Sequence, residues 1–222
     1  MIKFVLFDMG DTIINVPDTY KTYDRILQAH GITRTEKEIA TAHKQTLQEL
    51  SLDLLPKLTD DYWPRFDTLL VQKLGITQNQ EELGHAINRE WWNYAETKLY
   101  PDVLPTLREL KKRKLKLALV TNGLESDINA VLSKINLTEF FDVKVGTDTF
   151  KAMKPDKTVF LQTLRILNAE PDEALFIGDS LEIDYHGAKT AGLRAIIIDR
   201  NCKNKNTTPE TIHTLTELLN YL

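Results

Sequence analysis

The chain has 222 residues, of which 42% are hydrophobic and 27% charged, with a formal net charge of −4. This is an ordinary globular composition at a length suited to one large domain or a domain carrying an inserted lobe. The mild acidity and the lack of a basic arm argue against nucleic acid as a partner, and the single Cys202 excludes an internal disulfide and suits a reducing compartment.

Taken in chain order, Ile2 to Phe7 read as a short buried strand, apolar at all but Lys3. The run ends abruptly at Asp8, followed by the turn Met9-Gly10-Asp11-Thr12. It is too short for a membrane span and unlike a signal peptide, so a cytoplasmic protein with no membrane partner is expected. Residues 18–97 carry apolar positions at helical spacing, among them Tyr23, Ile26 and Leu27, then Ile39, Ala42, Thr46 and Leu50. Gly31, Pro56, Pro64 and Gly75 divide this stretch into about four helices.

From about residue 100 the pattern changes to strands alternating with helices. A helix over Val103 to Lys112 leads to a strand over Leu115 to Val120, a helix over Ser126 to Ile135 and a short strand at Val143 to Val145. Next come a helix over Asp156 to Asn168, a strand at Ala174 to Ile177, a helix over Leu181 to Ala191 and a strand at Ala195 to Ile198. A last amphipathic helix is expected over roughly Pro209 to Leu219. Five strands separated by helices imply an α/β fold with a doubly wound parallel sheet. The helical block interrupts this pattern directly after its first strand. The domain reading is therefore an α/β core of residues 1–16 and 99–222, with residues 17–98 inserted as a helical cap folded over the sheet edge above Asp8.

Four polar motifs stand at or just beyond expected strand ends. They are Asp8-Met9-Gly10-Asp11-Thr12, Thr121-Asn122-Gly123, Lys154-Pro155, and Gly178-Asp179-Ser180 with Asp184. In a parallel sheet these ends share one edge, where open α/β folds bind ligands. Asp8 and Asp179 offer the hard oxygen donors that Mg²⁺ prefers, beside water and phosphate oxygen. The Thr121 hydroxyl and neighbouring backbone N–H groups suit phosphate oxygens, and Lys154 adds a point positive charge.

This ordered set resembles the haloacid dehalogenase-like (HAD) hydrolase superfamily over essentially the whole chain, with residues 18–97 similar to the helical cap of its phosphatases. The resemblance implies a Rossmann-like core and a Mg²⁺-dependent phosphatase acting on a small phosphorylated metabolite. By the same resemblance Asp8 would be the nucleophile, forming an aspartyl-phosphate. Asp8, Asp179 and the backbone carbonyl of Gly10 would ligate Mg²⁺, with Asp184 supporting the metal through water. Thr121, Asn122 and Lys154 would bind the transferring phosphoryl group, and Lys154 would also orient Asp8. The Gly178-Asp179-Ser180 motif points to the metal-dependent branch rather than to dehalogenation.

One position departs from the family pattern. Phosphatases of this kind usually carry a second aspartate two residues after the nucleophile as general acid and base, and here that residue is Gly10. Three readings compete. The leaving group needs little protonation or takes its proton from water or a cap residue; Asp11 takes over the role; or the domain binds a phosphorylated ligand or a protein partner without turnover. General acid–base help is worth about two to four orders of magnitude, so its loss slows the reaction without abolishing it. Asp11 also has the plainer reading of a turn residue. Trp63, Trp91, Trp92 and Tyr94 read chiefly as core aromatics, and His30, His43 and His85 as packing or surface residues.

Overall fold

In the computed structural model, residues 1–202 and 210–222 are described. They divide into two compact units, Met1–Val16 with Lys98–Leu222, and Pro17–Thr97.

The larger unit is built on a six-stranded parallel sheet. Its strands are β1 (Phe4–Phe7), β4 (Lys116–Val120), β5 (Val143–Val145), β6 (Ala174–Gly178), β7 (Arg194–Ile198) and β8 (Thr211–Ile212), in the spatial order β5-β4-β1-β6-β7-β8. Two further short strands, β2 (Ile14–Asn15) and β3 (Lys98–Leu99), pair antiparallel as a separate ribbon. All four residues of β1 are buried, as a central parallel strand covered on both faces requires. On one face Phe4, Leu6, Ala118, Val120, Phe176 and Ala195 pack with Val159, Phe160 and Leu164 of the helix Lys157–Leu167. Phe160 meets Phe176 edge to face, with ring centroids 5.1 Å apart. Asp156 starts that helix as its N-cap and accepts the Thr158 N–H, as the sequence Lys154-Pro155-Asp156 leads one to expect.

All five expected strands are present, and the helices Val103–Lys112, Glu125–Lys134 and Lys157–Leu167 fall within a residue or so of expectation. Three parts differ. The stretch after Ser180 is a π-helical turn, Leu181–His186, running into a short α-helix, Gly187–Thr190. β2, β3 and β8 are only two residues each, too short to show a periodicity. The expected last helix is not one α-helix: its start at Pro209 lies outside the described residues, and the chain beyond forms β8 and a 3₁₀ helix, Leu215–Tyr221. Leu215 and Leu218 are its buried residues, and a three-residue spacing serves a 3₁₀ run as well as an α-helix.

The smaller unit is helical throughout its regular elements: Thr19–Ala29, Glu36–Glu49, Leu55–Leu58, Tyr62–Lys73 and Gln80–Tyr94, with two short 3₁₀ turns. Asp18 caps the first helix and Thr35 forms a capping box with Glu38 on the second. Its core is aromatic. Tyr23 meets Trp91 at 4.9 Å, and Phe66 meets His43 at 5.2 Å and Trp63 at 5.7 Å, all edge to face. These contacts account for Trp63, Trp91 and His43 as packing residues.

Inside that core Asp67 is buried, and its Oδ1 accepts the Tyr23 hydroxyl at 2.7 Å. Burial pushes its carboxyl up to about 8, the Tyr23 hydrogen bond pulling only partly back. A carboxyl raised in the folded state stabilises fully below its unfolded value and loses that contribution as pH climbs towards the folded value, at a slope of about 1.4 kcal/mol per pH unit. Asp67→Asn should therefore flatten the fall in stability between about pH 4 and pH 8 and be the more stable protein at pH 8. Urea unfolding at pH 5 and pH 8 measures this, and equal midpoints for variant and parent at pH 8 would contradict it.

Candidate active site

The sheet order places the motifs. β1 pairs with β6 in the register Phe7↔Ile177, and the Asp8 N–H continues the ladder to the Ile177 carbonyl at 2.8 Å. Asp8 thus lies beside the end of β6, which carries Asp179 just beyond it. β4 flanks β1 on the other side, with Phe7 opposite Leu119, so Thr121 emerges one strand over. The Thr121 N–H is held by the Val145 carbonyl at 3.0 Å, and the Thr147 N–H by the Gly123 carbonyl at 2.9 Å. The loop Thr121-Asn122-Gly123 leads directly into the N-terminus of the helix Glu125–Lys134.

Lys154 is the centre of the arrangement. Its side chain is 2% exposed, and Nζ donates to Asp8 Oδ1 and to Asp184 Oδ1, each at 2.6 Å. Nζ also lies 5.3 Å from the centroid of the Phe176 ring. Burial alone would lower the Lys154 pKa, but the charges of Asp8 and Asp184 outweigh it and hold the ammonium above its usual range. Asp8 is pushed up to about 7, first by burial and then by the charges of Asp184 and Asp179, with Lys154 pulling the other way. Asp179 is pushed up to about 6 by burial, then by Asp184 and Asp11.

Asp184 reaches this point through the π-helical turn. Ser180 opens the turn by accepting the Ile183 N–H, and the Ser180 N–H binds Asp184 Oδ2 at 3.0 Å. A side chain at Gly178 would run into the Asp184 carboxylate, so the close approach depends on glycine there. Asp8, Asp179 and Asp184 each present a carboxylate oxygen within 4.8 Å of the others. Three carboxylates face one ammonium. That donor set, hard and with a surplus of negative charge, fits a divalent cation such as Mg²⁺.

Around Gly10 the chain turns tightly, with the Ile13 and Ile14 N–H groups both on the Met9 carbonyl at 2.9 and 3.1 Å. Asp11 adopts φ 48°, a left-handed conformation that aspartate tolerates better than most residues. Its Oδ1 accepts the Val16 N–H at 3.3 Å and the Tyr100 hydroxyl at 3.4 Å. These contacts supply the turn role for Asp11. Arg200 secures the next residue: Nε and Nη2 donate to the Thr12 carbonyl at 3.1 and 2.6 Å, and Nη1 to both Asp102 oxygens. The guanidinium stacks 3.8 Å from the Tyr100 ring centroid, and Asp102 also accepts the Leu215 N–H.

The structure therefore brings Asp8, Lys154, Asp179 and Asp184 together and sets Thr121 and Asn122 on the adjoining strand end. Sequence reasoning missed Tyr100, Asp102 and Arg200. Of these only Arg200, two residues past the end of β7, stood where a signal could have been read. It also missed the commitment of the Asn122 side chain, whose amide binds the main chain of Lys154.

The profile of the haloacid dehalogenase-like hydrolases matches residues 5–198. A phosphoglycolate phosphatase of Aquifex aeolicus is 32% identical over 88% of this chain and 84% of its own length. A glyceraldehyde 3-phosphate phosphatase of Methanopyrus kandleri is 29% identical over 90% of this chain and 85% of its own. Among solved structures, an HAD phosphatase from Thermococcus onnurineus superposes with a TM-score of 0.67 at 29% identity, covering 99% of this chain and 97% of its own. A 2-haloacid dehalogenase from Pseudomonas syringae reaches a TM-score of 0.79 at 23% identity, a likeness of fold, covering 99% of this chain and 97% of its own. The chain belongs to the haloacid dehalogenase-like hydrolase family, in its phosphatase branch. Among the described residues no helix is long and apolar enough to cross a membrane.

Proposed function

We propose that the protein is a Mg²⁺-dependent phosphatase of a small phosphorylated metabolite, working in the cytoplasm through an aspartyl-phosphate on Asp8. The observation that supports this best is Lys154 Nζ shared between Asp8 and Asp184 at 2.6 Å each, beside Asp179 and one strand from Thr121. Asp8, Asp179 and the Gly10 carbonyl would hold Mg²⁺, with Asp184 supporting it through water. The bound cation would offset the repulsion between an anionic phosphate and an attacking carboxylate. Lys154 orients Asp8 by holding Oδ1, which leaves the other carboxylate oxygen to attack phosphorus. The Thr121 hydroxyl and the N–H groups of its loop bind the phosphoryl oxygens. The P–O bond to the leaving group breaks, and water then attacks the aspartyl-phosphate, releasing phosphate and restoring Asp8. The helical unit is assigned the role of a cap that selects the substrate.

With no side chain at Gly10 and the Asp11 carboxylate engaged by Val16 and Tyr100, the leaving oxygen takes its proton from water. Turnover should then depend steeply on leaving-group basicity. Aryl phosphates are expected to outpace simple alkyl phosphates by about 10²-fold in kcat/KM, the low end of what general acid catalysis supplies. Equal rates on both would place an acid elsewhere. The reading as a whole is tested by phosphate release on a broad phosphoester panel with Mg²⁺ and with chelator. Turnover should need the metal, and no turnover on any ester would end the proposal.

A further inference from the structure

Asn122 stands in the position where a phosphate ligand is expected, yet its side chain faces another partner. Oδ1 accepts the Lys154 N–H at 2.7 Å, and Nδ2 donates to the Lys154 carbonyl at 2.9 Å. Both bonds go to the main chain of one residue, 32 positions away in sequence. A primary amide is the side-chain group that offers an acceptor and a donor side by side, so it matches the N–H and C=O of a single residue as a hydroxyl or carboxylate does not.

The platform behind this clamp is itself held. Thr121 is fixed to β5 through the Val145 carbonyl, and the Gly123 carbonyl receives the Thr147 N–H. The short helix Thr147–Phe150 and a turn then lead the chain to Lys154. The lysine stem is long and flexible, with four methylene groups between Cα and the ammonium. Its Nζ nevertheless has to sit between two buried carboxylates, 2.6 Å from each. Fixing the backbone at Cα removes the main chain's share of the play in that placement.

We propose that Asn122 is a positioning residue that acts through Lys154: by clamping the Lys154 main chain it sets where the ammonium meets Asp8, rather than serving chiefly as a ligand of the substrate phosphate. This rests on the phosphatase reading for its kinetic consequence, though the clamp itself does not. One Nδ2 hydrogen remains over after the clamp is made, so the experiment has to separate positioning from direct phosphate contact.

Asn122→Ala removes both bonds. Asn122→Asp keeps an acceptor for the Lys154 N–H and sets a second oxygen against the Lys154 carbonyl. Both variants should lower kcat by about 10- to 100-fold, since a displacement of about 1 Å at a reacting group has that consequence. KM should change by less than about threefold, and the thermal midpoint should fall by several degrees, as the loss of two bonds to a buried main chain requires, with the protein still folded at assay temperature. Combining Asn122→Ala with Lys154→Met should produce losses that overlap rather than multiply, the mark of two residues acting as one unit. A crystal structure of Asn122→Ala should show Lys154 Nζ displaced from Asp8 Oδ1. A raised KM with kcat retained, losses that multiply, or an unmoved Nζ would each overturn the proposal. If Asn122→Ala does not fold, Asn122→Asp carries the same measurements. If the parent itself turns over no phosphoester, the phosphatase reading fails separately, and the position of Nζ in the variant decides the clamp alone.

Discussion

Gly10→Asp is expected to raise kcat on alkyl phosphates by about 10²- to 10³-fold, within the range that a positioned general acid supplies. The backbone accepts the change. Gly10 does not occupy the left-handed region, and its new Cβ would meet only Val16 Cγ2, at 3.0 Å. Val16 is 51% exposed, so its methyl has room to turn away. The new carboxyl would join Asp8, Asp11, Asp179 and Asp184, and like charges raise the pKa of an added acid, which suits a proton donor near neutral pH. The preference for aryl over alkyl phosphates should shrink in the same variant, because protonation matters most for the poorer leaving group. Steady-state kinetics on a leaving-group series reads both effects. A folded variant with unchanged kcat on every ester would mean that the proton reaches the leaving oxygen by another route.

Asp8→Asn is expected to abolish turnover, by about 10⁴-fold or more, because under the proposed mechanism the amide lacks the nucleophilic oxygen that would form the covalent intermediate. The fold should survive and gain. Asparagine keeps an oxygen for Lys154 Nζ while removing a buried charge that Asp184 and Asp179 oppose. In metal-free protein the thermal midpoint should rise by a few degrees, as is common when an active-site charge is traded for a neutral isostere. Differential scanning calorimetry beside a phosphate-release assay checks the pair. Retained activity would remove Asp8 from the chemistry, and a lowered midpoint would mean that the Asp8–Lys154 attraction outweighs the crowding of the three carboxylates.

The two variants draw on different layers of information. The position of Asp8 was legible because β1 is short, wholly apolar and followed at once by a carboxylate, a local pattern that needs no partner to be seen. Asp179 and Thr121 were legible for the same reason, each falling one residue past a buried strand. Asp184 was visible as a residue, but the π-helical turn that brings it to Lys154 was not, since a helical spacing of apolar positions does not separate i+4 from i+5 bonding over six residues. The C-terminal segment misled in the same way: Leu215 and Leu218 fit an α-helix and a 3₁₀ helix alike.

By itself the sequence determined the parallel α/β core, the helical insertion after the first strand, and the set of acids, hydroxyl and lysine that gather at one sheet edge. Apolar periodicity and strand ends are written in neighbouring residues, and right-handed crossovers leave few ways to arrange them. Only the tertiary structure decided which polar groups touch. Lys154 lies 146 residues from Asp8, in the connection from β5 to β6, and meets it because that connection is held at Asn122, just past β4, the strand beside β1. Asn122 became a clamp on Lys154, and Asp11 a brace for Val16 and Tyr100, through bonds made across folded distance. A polar side chain in a buried site takes whichever partner satisfies it there, and that partner is set by register and topology, which no local pattern encodes.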